Sequence, residues 1–278
     1  MAILGLDIGA SKIYYVALKG ERRLDEGRLE LAPKTPQNLL KLCREINRRV
    51  KQQNIVVEKV GAGVPGIVED GRLSYAPNFP KLIKLELGKE LESIFGAEVT
   101  LVNDANAFTF SEATLGAAKA FKNVAGLTLG SGLGGGLVID GKPYPKGGGA
   151  QEIGHTIIGI RGEEEAEDLA SAKFFKKFGQ TPDELRQEAK AGNVRAQKAF
   201  REFGKNLGMV IANLVNIADP EAVVLGGGIA GAYDLFILQT RKTAAKFIVN
   251  PANKDVKILK TALGGGAGAM GAALLAKM

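Results

Sequence analysis

Four short stretches of this chain place side chains that can handle a phosphate or a hydroxyl proton. Residues 5–12, GLDIGASK, set Asp7, Gly9, Ser11 and Lys12 around one turn. A carboxylate beside a glycine turn can hold Mg²⁺ directly or through water, and Ser11 and Lys12 offer a hydroxyl and an amine to phosphate oxygens. Residues 126–136, GLTLGSGLGGG, contain six glycines in eleven positions, with the turn at Gly130, Ser131 and Gly132. Serial backbone N–H groups in such a turn cradle anions, phosphate above all. The two stretches echo one another, since Gly5-Leu6-Asp7-Ile8-Gly9-Ala10 has the pattern of Gly126-Leu127-Thr128-Leu129-Gly130-Ser131. A phosphate cradle that occurs twice implies two halves facing one ligand. Asn103-Asp104-Ala105-Asn106 follows an apolar strand and opens a helix. Asn and Asp are ordinary N-caps, but one cap needs one side chain, and here three polar residues crowd a strand end. A carboxylate there can accept the proton of a substrate hydroxyl during phosphoryl transfer. Glu152-Ile153-Gly154-His155 holds the only histidine, next to an acid and after a glycine loop.

Several functions are excluded or disfavoured by the same residues. Gly-x-Gly-x-x-Gly occurs at 61–66, 130–135, 226–231 and 266–271. None has the strand–turn–helix context with a ribose-binding acid that a dinucleotide site requires. No Walker-type G-x-x-x-x-G-K-[ST] is present. One cysteine, Cys43, and one histidine leave no material for a zinc cluster. Cys43 falls on the apolar face of a helical stretch, as a small core residue would. The net charge of +7 permits an anionic partner, but the basic residues are scattered, so no nucleic-acid partner is expected. The run Glu163-Glu164-Glu165, with Glu167 and Asp168, reads first as a solvated acidic face. No stretch is apolar and long enough to span a bilayer and no signal peptide is visible, so a cytoplasmic location is expected.

Alternating strand and helix patterns give the α/β class. Strands are expected over residues 2–8, 13–18 and 28–32, then 57–64 and 99–102. In the second half they fall over 124–129, 133–139, 222–225 and 256–259. Helices are expected over 37–53, 90–95, 105–120, 171–178, 183–191, 194–217 and 234–247, with a glycine turn and helix at the C-terminus. Residues 72–80 read as an extended loop. The glycines 134–136 are assigned to close packing rather than to ligand.

Together these motifs resemble the ROK family of sugar kinases, within the actin-like ATPase superfamily. DIGASK is similar to the family's D-x-G-x-T-K, with Ser11 for Thr. VPGIVEDG and APNF resemble its sugar-side loops, VNDANAF its catalytic segment and LTLGSGLGGGLVIDGK its second phosphate loop. EIGH resembles a family hallmark, and VVLGGGIA the adenosine-side strand and turn. The resemblance implies a two-lobed actin-like (ribonuclease H-like) fold with duplicated βββαβαβα lobes: residues 1–104, then 105–265, the terminal helix 266–278 packing back on the first. It implies an ATP- and Mg²⁺-dependent hexose kinase, glucose to glucose 6-phosphate foremost, with Asp104 as general base. Asn78, Asn103, Glu152, His155 and Glu167 match sugar-binding positions. Asp7, Gly9, Ser11, Lys12, Gly130, Ser131, Gly132, Gly226, Gly227 and Gly228 match nucleotide positions, with Asp7 on Mg²⁺ through water. A homodimer is implied too. The family's C-x-C-G-x-x-G-C zinc motif is replaced here by TIIGIRGEEEA, so no zinc is expected and the sugar pocket is reshaped. The alternatives are another sugar (an N-acetylated hexosamine, mannose or fructose), polyphosphate as donor, or a non-catalytic sugar-sensing regulator.

Overall fold

The structure, a computed structural model, describes residues 1–9, 11–76, 79–144, 151–159 and 164–278. Asn78 lies outside them. The first half begins with three antiparallel strands, β1 (Ala2–Ile8), β2 (Lys12–Lys19) and β3 (Arg22–Glu30). Ile8 pairs with Ile13, so β1 and β2 close over a tight turn. α1 (Pro36–Gln52) follows, its first turn capped by the Thr35 hydroxyl, which accepts from Asn38 N at 3.2 Å. Its buried stripe of Leu39, Cys43, Ile46 and Val50 covers the sheet. β4 (Val57–Val64) then pairs parallel with β1, and β7 (Glu98–Asn103) parallel with β4. Between them come a short hairpin, β5 (Ile67–Glu69) and β6 (Arg72–Tyr75), and α2 (Leu87–Phe95). The sheet order is β3-β2-β1-β4-β7. α3 (Asp104–Thr114) leaves the end of β7.

The second half repeats the plan. β8 (Val124–Leu129), β9 (Leu133–Ile139) and β10 (Lys142–Tyr144) form the antiparallel set. α4 (Ala166–Ala170), α5 (Ala172–Phe175), α6 (Pro182–Lys190) and α7 (Val194–Ala218) follow. β11 (Ala222–Gly226), α8 (Tyr233–Phe247), β12 (Lys257–Lys260) and α9 (Ala267–Leu275) complete it. The order β10-β9-β8-β11-β12 mirrors the first sheet. Its core is aromatic: Phe174, Phe175, Phe200, Phe203 and Phe236 pack with ring centroids about 5–6 Å apart.

The closing helices of the two halves are exchanged. α3 packs on β8 and β9, and α9 on β1, β4 and β2, while the two helices cross each other. The approach is possible because glycine stands at each contact. A Cβ at Gly5 or Gly61 would overlap the carbonyl oxygens of Ala269 and Ala272, and one at Gly271 would overlap that of Ala107. α3 is accordingly buried on every side. A helix exposed nowhere along its middle sits between two layers, and this one does.

Four local expectations are corrected. The third strand spans Arg22–Glu30 rather than 28–32, because its exposed charges, typical of a sheet edge, hide the alternation. Residues 72–75 are strand β6, since Val68 and Leu73 meet across the hairpin and both are buried. α3 stops at Thr114 instead of 120. The Glu112 carboxylate accepts from Ala117 N at 2.8 Å, and the chain turns at Gly116 to let it. α5 passes at Lys176 into a 3₁₀ turn, Lys176–Phe178, and α4 forms within the acidic run. The glycines 134–136 pack closely against Thr128, Ile153 and Thr109, but Gly134 and Gly135 also line a cavity, so close packing is not their whole setting.

Candidate active site

The parallel strands of both sheets end at one cleft, the usual place for ligands in an α/β fold. Two adjoining cavities lie there, of about 270 and 450 Å³. Asn103, Asp104, Glu152, His155 and Glu167 line the first, together with Gly130, Ser131 and Gly132. Asp7, Gly9, Lys12, Gly227 and Gly228 line the second, with Tyr14, Lys260 and Thr261. Asp104, Thr128 and Gly227 line both.

Asp104 opens α3, and its Oδ1 accepts from Ala105 N at 2.8 Å. Burial raises its pKa to about 6, with the Glu152 charge adding to the rise and the backbone N–H bonds opposing it. Asp7, near the end of β1, is pushed further, to about 7, by burial first and then by the charge of Asp104, with Lys12 offsetting part. The two carboxylates share the second cavity, close enough for the charge of Asp104 to act on Asp7. Perturbation of this kind, in a cleft, makes both carboxylates candidates for a functional site.

Asn103 caps α3, its Oδ1 accepting from Asn106 N at 3.0 Å, while its Nδ2 donates to Gly66 O at 2.9 Å. Gly66 has φ +144 and lies against the backbone of Tyr75, a conformation and a closeness that only glycine tolerates. Asn103 thus holds the 64–66 turn, and Tyr75 after it, at the wall of the first cavity. His155 is held through Nδ1 by Glu165 at 2.9 Å, with Glu152 3.7 Å from Nε2. The Glu165 bond, reinforced by the charges of Glu152 and Glu167, raises the His155 pKa despite some burial. Glu167 sits in the first turn of α4. Its Oε2 accepts from Leu133 N at 2.9 Å, and its Oε1 lies 2.8 Å from Lys173 Nζ. One acid of the run 163–168 therefore points into the cleft and another, Glu165, anchors the histidine.

Five of the residues matched to nucleotide positions do not line the cavity of Asp7. Gly130, Ser131 and Gly132 are on the first cavity, beneath Glu167, not on the second with Asp7. Ser11 is exposed and lines neither cavity. Gly226 is fully strand, and its missing side chain makes room for the Phe108 ring. Thr128, Tyr75, Gln151, Glu165 and Lys173 were not legible as site residues. Thr128 had a signal: it is the counterpart of Asp7 in the repeated hairpin, and the only polar residue of β8. The others depend on long-range approach and carry no local mark.

Among the described residues, no group of three His, Cys, Asp or Glu side chains is arranged to hold a metal. No described helix is long and apolar enough to cross a membrane. Residues 3–278 match the profile of the ROK family. The glucokinase of Thermotoga maritima is 28% identical over 315 residues, covering 100% of this chain and 98% of that protein. An N-acetyl-D-glucosamine kinase of Vibrio atlanticus is 30% identical over 299 residues, covering 98% of each. The crystal structure of a ROK family glucokinase from Streptomyces griseus in complex with glucose and AMPPNP superposes with a TM-score of 0.85. Its sequence is 28% identical, and the match covers 100% of this chain and 99% of that one. The repeated α/β halves with exchanged helices are thus the actin-like fold of the ROK sugar-kinase structures, and the chain belongs to the ROK family.

Proposed function

We propose that this protein transfers the γ-phosphoryl group of ATP to a hydroxyl of a hexose. The carrying observation is the place of Asp104, on the wall common to both cavities. A group there can reach a hydroxyl bound in the first cavity and a phosphate entering from the second. The sugar would lie among Glu152, His155, Glu167 and Asn103, whose carboxylates and ring nitrogens suit several hydroxyls at once. The nucleotide would lie along Gly227 and Gly228, its phosphates toward Asp7 and Lys12. Glucose, with phosphorylation at the 6-hydroxyl, is the acceptor to test first. The relatives are named for glucose and for N-acetyl-D-glucosamine, and both sugars carry that hydroxyl.

Asp104 would take the hydroxyl proton as the oxygen attacks phosphorus. Its raised pKa makes it a better base than an ordinary aspartate while leaving it ionised at neutral pH. The Asp7 site fits a divalent cation. A buried carboxylate whose proton affinity is raised by a second carboxylate lacks positive charge, and Mg²⁺ with its waters would supply it. Bound there, the ion would neutralise phosphate charge, while Lys12 contributes a fixed positive group on the same wall.

A coupled ADP-release assay over glucose, N-acetylglucosamine, mannose and fructose, with ATP and polyphosphate as donors, tests this reading. Turnover of at least one sugar with ATP is expected; no sugar-dependent ADP release at any concentration would refute it. The same assay gives a pH profile. Because Asp104 must be ionised to act, kcat/KM should fall as pH drops through about 6, by roughly tenfold per unit below that point. A profile flat from pH 7 to 5 would show that this carboxyl takes no proton.

A further inference from the structure

We propose that Glu112 is a positioning residue for the nucleotide cavity, an inference that rests on the kinase reading. Glu112 lies in the last turns of α3 and is completely buried. A charged carboxylate in such a place needs compensation. It receives it from backbone donors at two sites. Oε2 accepts from Ala117 N at 2.8 Å and from Ala262 N at 3.2 Å. Oε1 accepts from Leu263 N at 3.0 Å and from the Thr261 hydroxyl. The Thr261 oxygen in turn accepts from Gly264 N at 3.1 Å. Gly116 passes so close to the carboxylate that a Cβ there would overlap it.

The segment held in this way runs from β12 to α9, and its Lys260, Thr261, Gly264 and Gly265 line the cavity of Asp7. Without Glu112, the N–H groups of Ala262 and Leu263 in that segment, and of Ala117 after α3, would lose their common acceptor. Asp104 and Glu112 are eight residues apart on one helix, about 12 Å along its axis. A single rigid element therefore sets the base at one end and the nucleotide wall at the other. Glutamine cannot substitute cleanly. Whichever way its amide turns, the NH₂ group faces a backbone N–H, either Leu263 or Ala262 and Ala117.

The test compares wild type, Glu112→Gln and Thr261→Val by ATP calorimetry and by steady-state kinetics. A purely structural role would lower Tm and leave both KM values as they are in the folded fraction. The proposal expects Glu112→Gln to raise Kd and KM for ATP about tenfold, with the sugar KM within twofold. Thr261→Val should move ATP in the same direction by about threefold. Unchanged ATP affinity, or ATP and sugar KM rising in parallel, would overturn it. Should Glu112→Gln not fold, Thr261→Val decides alone, and an unchanged ATP Kd refutes the assignment. A wild-type protein that binds ATP yet phosphorylates no sugar would sink the kinase reading and leave the Kd comparison intact. One that binds no ATP sinks both.

Discussion

Asp104→Asn should reduce kcat by about a thousandfold, within the span measured for loss of a general base, while the protein stays folded. The amide keeps the side-chain oxygen that accepts from Ala105 N, so the start of α3 is preserved. It removes the negative charge and with it the proton acceptor. Stability should rise rather than fall. The folded chain binds a proton at Asp104 up to about pH 6, whereas an unperturbed aspartate releases it near 3.8. An acid whose pKa is raised by folding makes the folded state less stable as pH increases through that window. At pH 7 the full penalty is present, and the neutral amide escapes it. The charge of Asp104 also raises the pKa of Asp7, so its removal relieves that group as well. The measurement is kcat beside a thermal melt at pH 7. A variant with near wild-type kcat would remove Asp104 from the base role. One that loses both activity and Tm would show that the carboxylate is structural.

Gly61→Ala should destabilise the protein more than any conservative substitution on its surface. Gly61 sits in the middle of β4, and the helix α9 lies directly on it. An added methyl would overlap the Ala272 carbonyl carbon and oxygen, with Ala273 N next at 3.1 Å. These are backbone atoms of a buried helix and cannot move aside as a side chain would. Overpacking typically costs about 1–3 kcal/mol, and overlap with fixed backbone puts this change at the upper end, about 3 kcal/mol. At this chain length that is a Tm loss of about 10 °C. Because α9 also crosses α3 at Gly271 and Ala107, displacement of α9 would reach Asp104 and reduce activity in the fraction still folded. Gly266→Ala is the control, since a methyl there meets nothing within 4 Å. It should leave Tm within about 2 °C, in line with an ordinary surface change. Equal Tm values for the two variants would mean that the β4–α9 contact is loose.

Much of the fold was written locally. The strand of 2–8, the amphipathic helix after Thr35-Pro36 and the long helix ending at Asp219-Pro220 are each set by residues within a few positions of one another. So are the two glycine hairpins. Periodicity and capping therefore report them. The repetition of the hairpin also predicted two matching halves, because a sequence repeat encodes a structural repeat without reference to distant contacts. Asp7, Asp104, Glu152 and His155 could be picked out for the same reason, each a polar group beside a turn or strand end, whereas Glu167 was reached only through the family resemblance, its acidic run reading as a solvated face.

Which of those groups share a cavity was decided by tertiary structure. Gly130, Ser131 and Gly132 look like partners of Asp7 in sequence, yet the approach of α4 places them under Glu167. Asn103 lines the first cavity, and only the fold shows that its amide also holds Gly66 O. The exchange of α3 and α9 between the halves, and the hold of Glu112 on residues 261–263, join parts of the chain more than a hundred residues apart. Such contacts depend on how the two sheets pack, a property of the whole chain that leaves only small traces along it: a glycine where a backbone passes close, or a glutamate inside an apolar helix.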